Sequence, residues 1–148
     1  MSLSFHTEEE DNYREESINK YKNLFSKYEN NPPSLKEALN QMYKDTNIDN
    51  KQIDILTEDI INKCKERMAP NIDDIKKKYN NITKEDAYII CSYTCESEQK
   101  EYSPYRILNK SLVSDNRQNG IRNISKYLYL FIKSLRKLPI YYPKNKYL

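Results

Sequence analysis

The sequence predicts an all-α protein, an irregular helical bundle of about six or seven helices with a short extended C-terminal tail. Three observations carry this. Apolar residues recur at three- and four-residue spacing in successive stretches. Only one glycine occurs in 148 residues, whereas tight hairpins and phosphate-cradling loops depend on positive φ. The single hairpin-like pair, Asn119-Gly120, has no alternating strands beside it.

Residues 1–12 are polar and acidic and read as a flexible terminus, so the bundle is expected over 13–139. Tyr21, Leu24, Phe25 and Tyr28 mark a first amphipathic helix, and Asn30-Asn31-Pro32-Pro33 ends it, since proline offers no amide donor and displaces its predecessor from helical dihedrals. Ser34 with Glu37 has the form of a capping box, leading to a stripe of Leu35, Leu39 and Met42. After a polar break over 44–50, Ile53, Leu56, Ile60, Cys64 and Met68 predict a third helix that stops at Pro70. Ile72, Ile75 and Tyr79 make a shorter fourth, closed by Asn80-Asn81; asparagine, which tolerates left-handed dihedrals, stands in for glycine.

Thr83 is placed to cap a fifth helix with Asp86 as its partner, presenting Ala87, Ile90, Cys91 and Thr94 and ending near Thr94. A charged connector over 95–102 leads to Ser103-Pro104, a cap followed by proline at the first helical position, with Ile107, Leu108 and Leu112 facing inward. A second connector is expected over 114–120. The strongest periodicity follows: Ile124, Tyr127, Leu128, Phe131, Ile132, Leu135 and Leu138, up to Pro139, predict the central helix. Residues 140–148 are β-prone and aromatic and read as the lead-in to a strand. Differences in helix length and stripe argue against a solenoid of identical units.

The formal charge of +3 hides a division along the chain, −6 over residues 1–60 and +9 over 61–148. Long helices with solvated faces account for it, and no run of basic residues exceeds three. No apolar run has the form of a signal peptide or a membrane span, which makes the expected compartment cytoplasmic with no membrane partner. Tyr127, Tyr129, Lys133, Arg136 and Lys137 mix rings with cations as single-strand binders do, but Tyr127 belongs to the apolar stripe, and nucleic acid is not an expected partner.

Catalytic constellations are missing from the sequence. The only histidine, His6, is close to the terminus, and no serine or cysteine stands in a glycine-flanked elbow. Asp73-Asp74 and Glu85-Asp86 fall in first helical turns, where they stabilise the positive helix end. Cys91 and Cys95, four apart, read as structural thiols badly arranged for a disulfide, with Cys64 on another helix; no metal site is expected.

Three blocks in order, ITKEDAYIICSYT, SPYRILNKSL and YLYLFIKSLRKLP over residues 82–139, resemble the helical lobe that precedes the NAD-binding core of arginine-type mono-ADP-ribosyltransferases. The resemblance covers roughly residues 35–148. It rests on the acidic helix start Glu85-Asp86 leading to Tyr93-Thr94, on Tyr105, Asn109 and Leu112, and on the Leu138-Pro139 step. It implies an architectural role for these residues: Asn109 satisfying a buried backbone group, Tyr93 and Tyr105 packed with their hydroxyls bonded. It also implies that the catalytic arginine, usually followed by glycine, lies on a strand after the Leu-Pro step, with a serine strand and a glutamate-bearing loop beyond. None of the three can be assigned here, and Arg136, on a helix before that step, is no candidate.

Two expectations follow. In one, the chain is the N-terminal helical part of an NAD-dependent protein-arginine mono-ADP-ribosyltransferase, not catalytic by itself, its partner being the missing β core of the same domain. In the other it is a non-catalytic helical module, derived from that lobe, that binds a protein partner.

Overall fold

The computed structural model describes residues 25–113 and 117–139. The chain divides at Pro32–Pro33 into two compact units. In the first, residues 25–29 are helical and the chain leaves the helix at Asn30-Asn31, as the prolines require. The expectations for residues 1–12, for Tyr21 and Leu24, and for the 140–148 tail lie outside the described residues.

The second unit is all-α. Its elements are α1 (Leu35–Lys44), α2 (Asn50–Met68), a 3-10 turn (Ala69–Asn71), α3 (Ile72–Lys78), α4 (Lys84–Thr94), a second 3-10 turn (Lys100–Tyr102), α5 (Pro104–Val113) and α6 (Arg117–Arg136). No strand occurs among the described residues. The predicted central helix is central: α6 packs against α1, α4 and α5, while α2 packs against α1 and α4.

Side-chain caps mark the starts of α1, α2 and α4. Ser34 is extended and its Oγ accepts the Glu37 amide at 3.1 Å, but the Glu37 carboxylate takes the Ser34 hydroxyl at 3.3 Å. Half the predicted box therefore forms as drawn. At Thr83 both halves form, each at 3.0 Å: Thr83 Oγ1 accepts the Asp86 amide and Asp86 Oδ2 accepts the Thr83 amide. Asp49 supplies a cap the sequence reading did not single out, accepting the Gln52 amide at 2.7 Å. Between α1 and α2 the chain turns through Asn47, whose φ of 61° is the only positive value of a non-glycine residue among the described residues. There asparagine takes a left-handed conformation that glycine favours, whereas Asn80 and Asn81, expected in that role, keep negative φ beyond a helix that ends at Lys78 with Tyr79 extended.

The core differs from the predicted stripes in several places; Thr94 is exposed, and Ile72, Ile75, Ile107, Leu112, Phe131 and Ile132 are only half-buried. α4 buries Ile89, while Ile90 is half-buried; Asp86, Ala87, Cys91 and Ser92 are also inside. This helix packs against α2, α5 and α6, so its buried face is broader than one stripe. α6 begins at Arg117, absorbing most of the expected 114–120 connector and putting Gly120 inside a helix. Its buried set is concentrated at Ile124, Ser125, Tyr127, Leu128, Tyr129, Leu130 and Ser134, whereas Leu135, expected inside, is 40% exposed. In α1 and α2 the stripe residues Leu35, Leu39, Met42, Ile53, Leu56, Ile60 and Cys64 are buried as predicted, while Met68 at the end of α2 is half-buried.

Candidate functional site

Three polar features lie among the packed helices. The first joins α4 to the end of α6. Asp86 is buried, and besides the Thr83 amide it accepts Ser134 Oγ at 2.8 Å and Lys137 Nζ at 2.6 Å. Burial alone would raise its carboxyl; the Lys137 ammonium, the Thr83 amide and the Ser134 hydroxyl outweigh burial and hold it below the usual carboxylate range. Asp86 therefore does more than complement a helix end. It fixes the residue just before the Leu138-Pro139 step.

Further along the same interface, Ser92 Oγ donates to the Ile89 carbonyl at 2.5 Å, which leaves Tyr127 as the donor in the 2.7 Å Ser92–Tyr127 bond. Burial pushes the Tyr127 phenol far up, against the Ser92 bond, so it stays neutral. Tyr93 stacks on Phe131 with centroids 4.7 Å apart, meets Tyr105 edge-on at 6.4 Å, and donates to Asn109 Oδ1 at 3.3 Å. Tyr105 in turn donates to Glu96 at 3.1 Å and accepts Arg106 Nε at 3.1 Å. Both tyrosine tips are bonded. Asn109 is different: it is exposed, and its partner is the Tyr93 hydroxyl instead of a buried backbone group.

The second feature was not legible as a unit in the sequence. Cys64 from α2 and Cys91 and Cys95 from α4 and its C-cap converge, all three sulfurs lying within 4.8 Å of one another. Cys95 has left the helix, with φ −80° and ψ 135°, and its Sγ stands 3.8 Å from that of Cys64. Arg67 Nη1 approaches Cys95 Sγ at 3.8 Å, and Lys63 Nζ donates to the Glu96 carbonyl at 2.7 Å. The Cys64 thiol hydrogen bond brings Cys95 down to about 6 against the cost of burial, with Arg67 and Lys63 adding to the effect. The same bond and burial push Cys64 up, and burial pushes Cys91 up. Of the three thiols, Cys95 is the one whose surroundings lower its pKa.

The third feature is a cleft of about 780 Å³ lined by Asp45, Glu101, Arg106, Lys110 and Asn123, charges of both signs, with Asn47 at its edge. Asn123 donates to Asp45 across it at 2.6 Å. Asp73 and Asp74 lie in the first turn of α3 as predicted and join no buried group. Tyr127 and Tyr129 are buried, so neither offers a ring face for stacking on a base. No helix among the described residues is long and apolar enough to cross a membrane.

No protein-family model, curated protein or solved structure matches the chain.

Proposed function

We propose that this chain is the N-terminal helical part of an NAD-dependent protein-arginine mono-ADP-ribosyltransferase, a supporting lobe that is not catalytic by itself. One observation carries the reading. Several of the residues on which the resemblance rests hold helices together: Asp86 pins Ser134 and Lys137 ahead of Leu138-Pro139, while Tyr93 joins Asn109, Tyr105 and Phe131. A lobe that orients a following strand needs the end of α6 held, and a buried carboxylate bonded to a lysine one residue before the step does that.

NAD is the substrate of the complete domain in this reading, and the described residues are assigned no step of its chemistry. The cleft sets Asp45 and Glu101 among its cations, and Gly120, the single glycine, lies within α6, so no phosphate loop is available from it. The catalytic arginine, serine and glutamate belong to the β core that serves as the lobe's partner. Reading the gene past the codon for Leu148 tests this. An arginine-glycine step within a few residues, followed by a serine strand and a glutamate-bearing loop, is expected; a stop codon with no nearby exon overturns the reading and leaves a helical interaction module.

A further inference from the structure

We propose that Cys64, Cys91 and Cys95 form a three-sulfur site for a soft monovalent ion, Cu(I). Three side chains from two elements bring sulfur, and only sulfur, to one point: all three Sγ atoms are within 4.8 Å of each other, and the Cys64–Cys95 pair stands at 3.8 Å. A thiolate keeps about 2.3 Å from a d10 ion, which places three sulfurs around a central ion about 4 Å apart. The observed spacing needs little closure to reach that figure. All three cysteines are free thiols in the structure.

The donor set selects the ion. Thiolates favour Cu(I), zinc and iron–sulfur clusters, while hard ions need oxygen. Structural zinc takes four protein ligands, and no fourth histidine, cysteine or carboxylate joins the group among the described residues. Three sulfurs suffice for Cu(I). Cys64 and Cys95 are 0% exposed and Cys91 is 6% exposed, so the group is shielded from water and its open edge is at Cys91. On binding, each S–H that becomes a ligand releases its proton to solvent, and the copper stays Cu(I) throughout. The negative charge that builds up on sulfur faces Arg67, 3.8 Å from Cys95 Sγ, with Lys63 one turn away on the same helix. This assignment is independent of the transferase reading.

The test loads the reduced 148-residue protein with Cu(I) under anaerobic conditions in the presence of bicinchoninate as competing chelator. One Cu(I) per chain is expected to resist the chelator, with a sulfur-only shell at about 2.3 Å by X-ray absorption. Cys91→Ser, at the accessible edge, should weaken retention by more than the roughly 10–100-fold typical of losing an outer-shell partner, and Arg67→Ala by about 10-fold. Circular dichroism checks that each variant is folded; should Cys64→Ser fail to fold, Cys91→Ser and Arg67→Ala carry the test. Failure of the wild type to hold Cu(I) against the chelator overturns the proposal. So does equal retention by Cys91→Ser, nitrogen or oxygen in the metal shell, or a preference for zinc over Cu(I).

Discussion

Replacing Asp86 tests whether the α4–α6 interface is held by a buried carboxylate. Asp86→Ala removes the reciprocal half of the Thr83 cap and the bonds to Ser134 in α6, at 2.8 Å, and to Lys137 just after it, at 2.6 Å. A lost cap costs about 1 kcal/mol, and a hydrogen bond to a charged group about 1.5–3 kcal/mol. The Lys137 side chain is 29% exposed, so solvent screens part of its contribution and the lower end of the range applies. With both bonds taken at the lower end, the expected total is about 4 kcal/mol for alanine. Asparagine keeps the shape and the cap acceptor but loses the charge, so Asp86→Asn is expected to cost about 1–2 kcal/mol.

Urea denaturation at neutral pH followed by circular dichroism measures both. The pH dependence gives a second, independent reading. The carboxyl is lowered from 3.8 in the folded state, so its stabilisation is complete above 3.8 and is lost as pH falls through the lower folded value. The gap between wild type and Asp86→Asn should therefore narrow below about pH 4. A penalty for Asp86→Ala under about 0.5 kcal/mol, the level of an ordinary surface change, would refute the pinning role.

Other substitutions probe the remaining interfaces. Tyr127→Phe leaves the Ser92 oxygen without its donor and should cost about 1–2 kcal/mol by the same denaturation; no change would mean the bond adds nothing. Ser97 Oγ is buried with no hydrogen-bond partner among the described residues, so Ser97→Ala should be neutral or stabilise by up to about 1 kcal/mol, and a clear loss of stability would contradict this. At Asn47, with φ of 61°, alanine should cost about 1 kcal/mol while glycine is tolerated; equal stability of the two variants would count against a backbone cause.

Local signals in the sequence were dependable where the physics is local. The Thr83–Asp86 box, the stop at Asn30-Asn31-Pro32-Pro33 and the α6 stripe from Ile124 to Leu128 depend on neighbours within a turn or two, and all are present. Packing decided the rest. Ile89 displaces Ile90 because α4 touches three helices, while Leu135, in step with the α6 stripe, is nonetheless exposed. The polar start of α6 hid a helix that extends back to Arg117, since its first turns have few apolar residues to mark a period. The meeting of Cys64 with Cys95 depends on how α2 lies against α4, across 31 positions, and no spacing rule reaches that far. Asp86 was read correctly as a cap and incompletely as a residue, for its partners Ser134 and Lys137 lie 48 and 51 positions away.

The most direct measurement is nicotinamide release from NAD in the presence of agmatine, an arginine mimic, comparing the 148-residue chain with the product of the whole gene. A supporting lobe predicts no release from the chain alone and agmatine-dependent release from the whole product. Release by the 148 residues themselves, or none by the whole product, would contradict it.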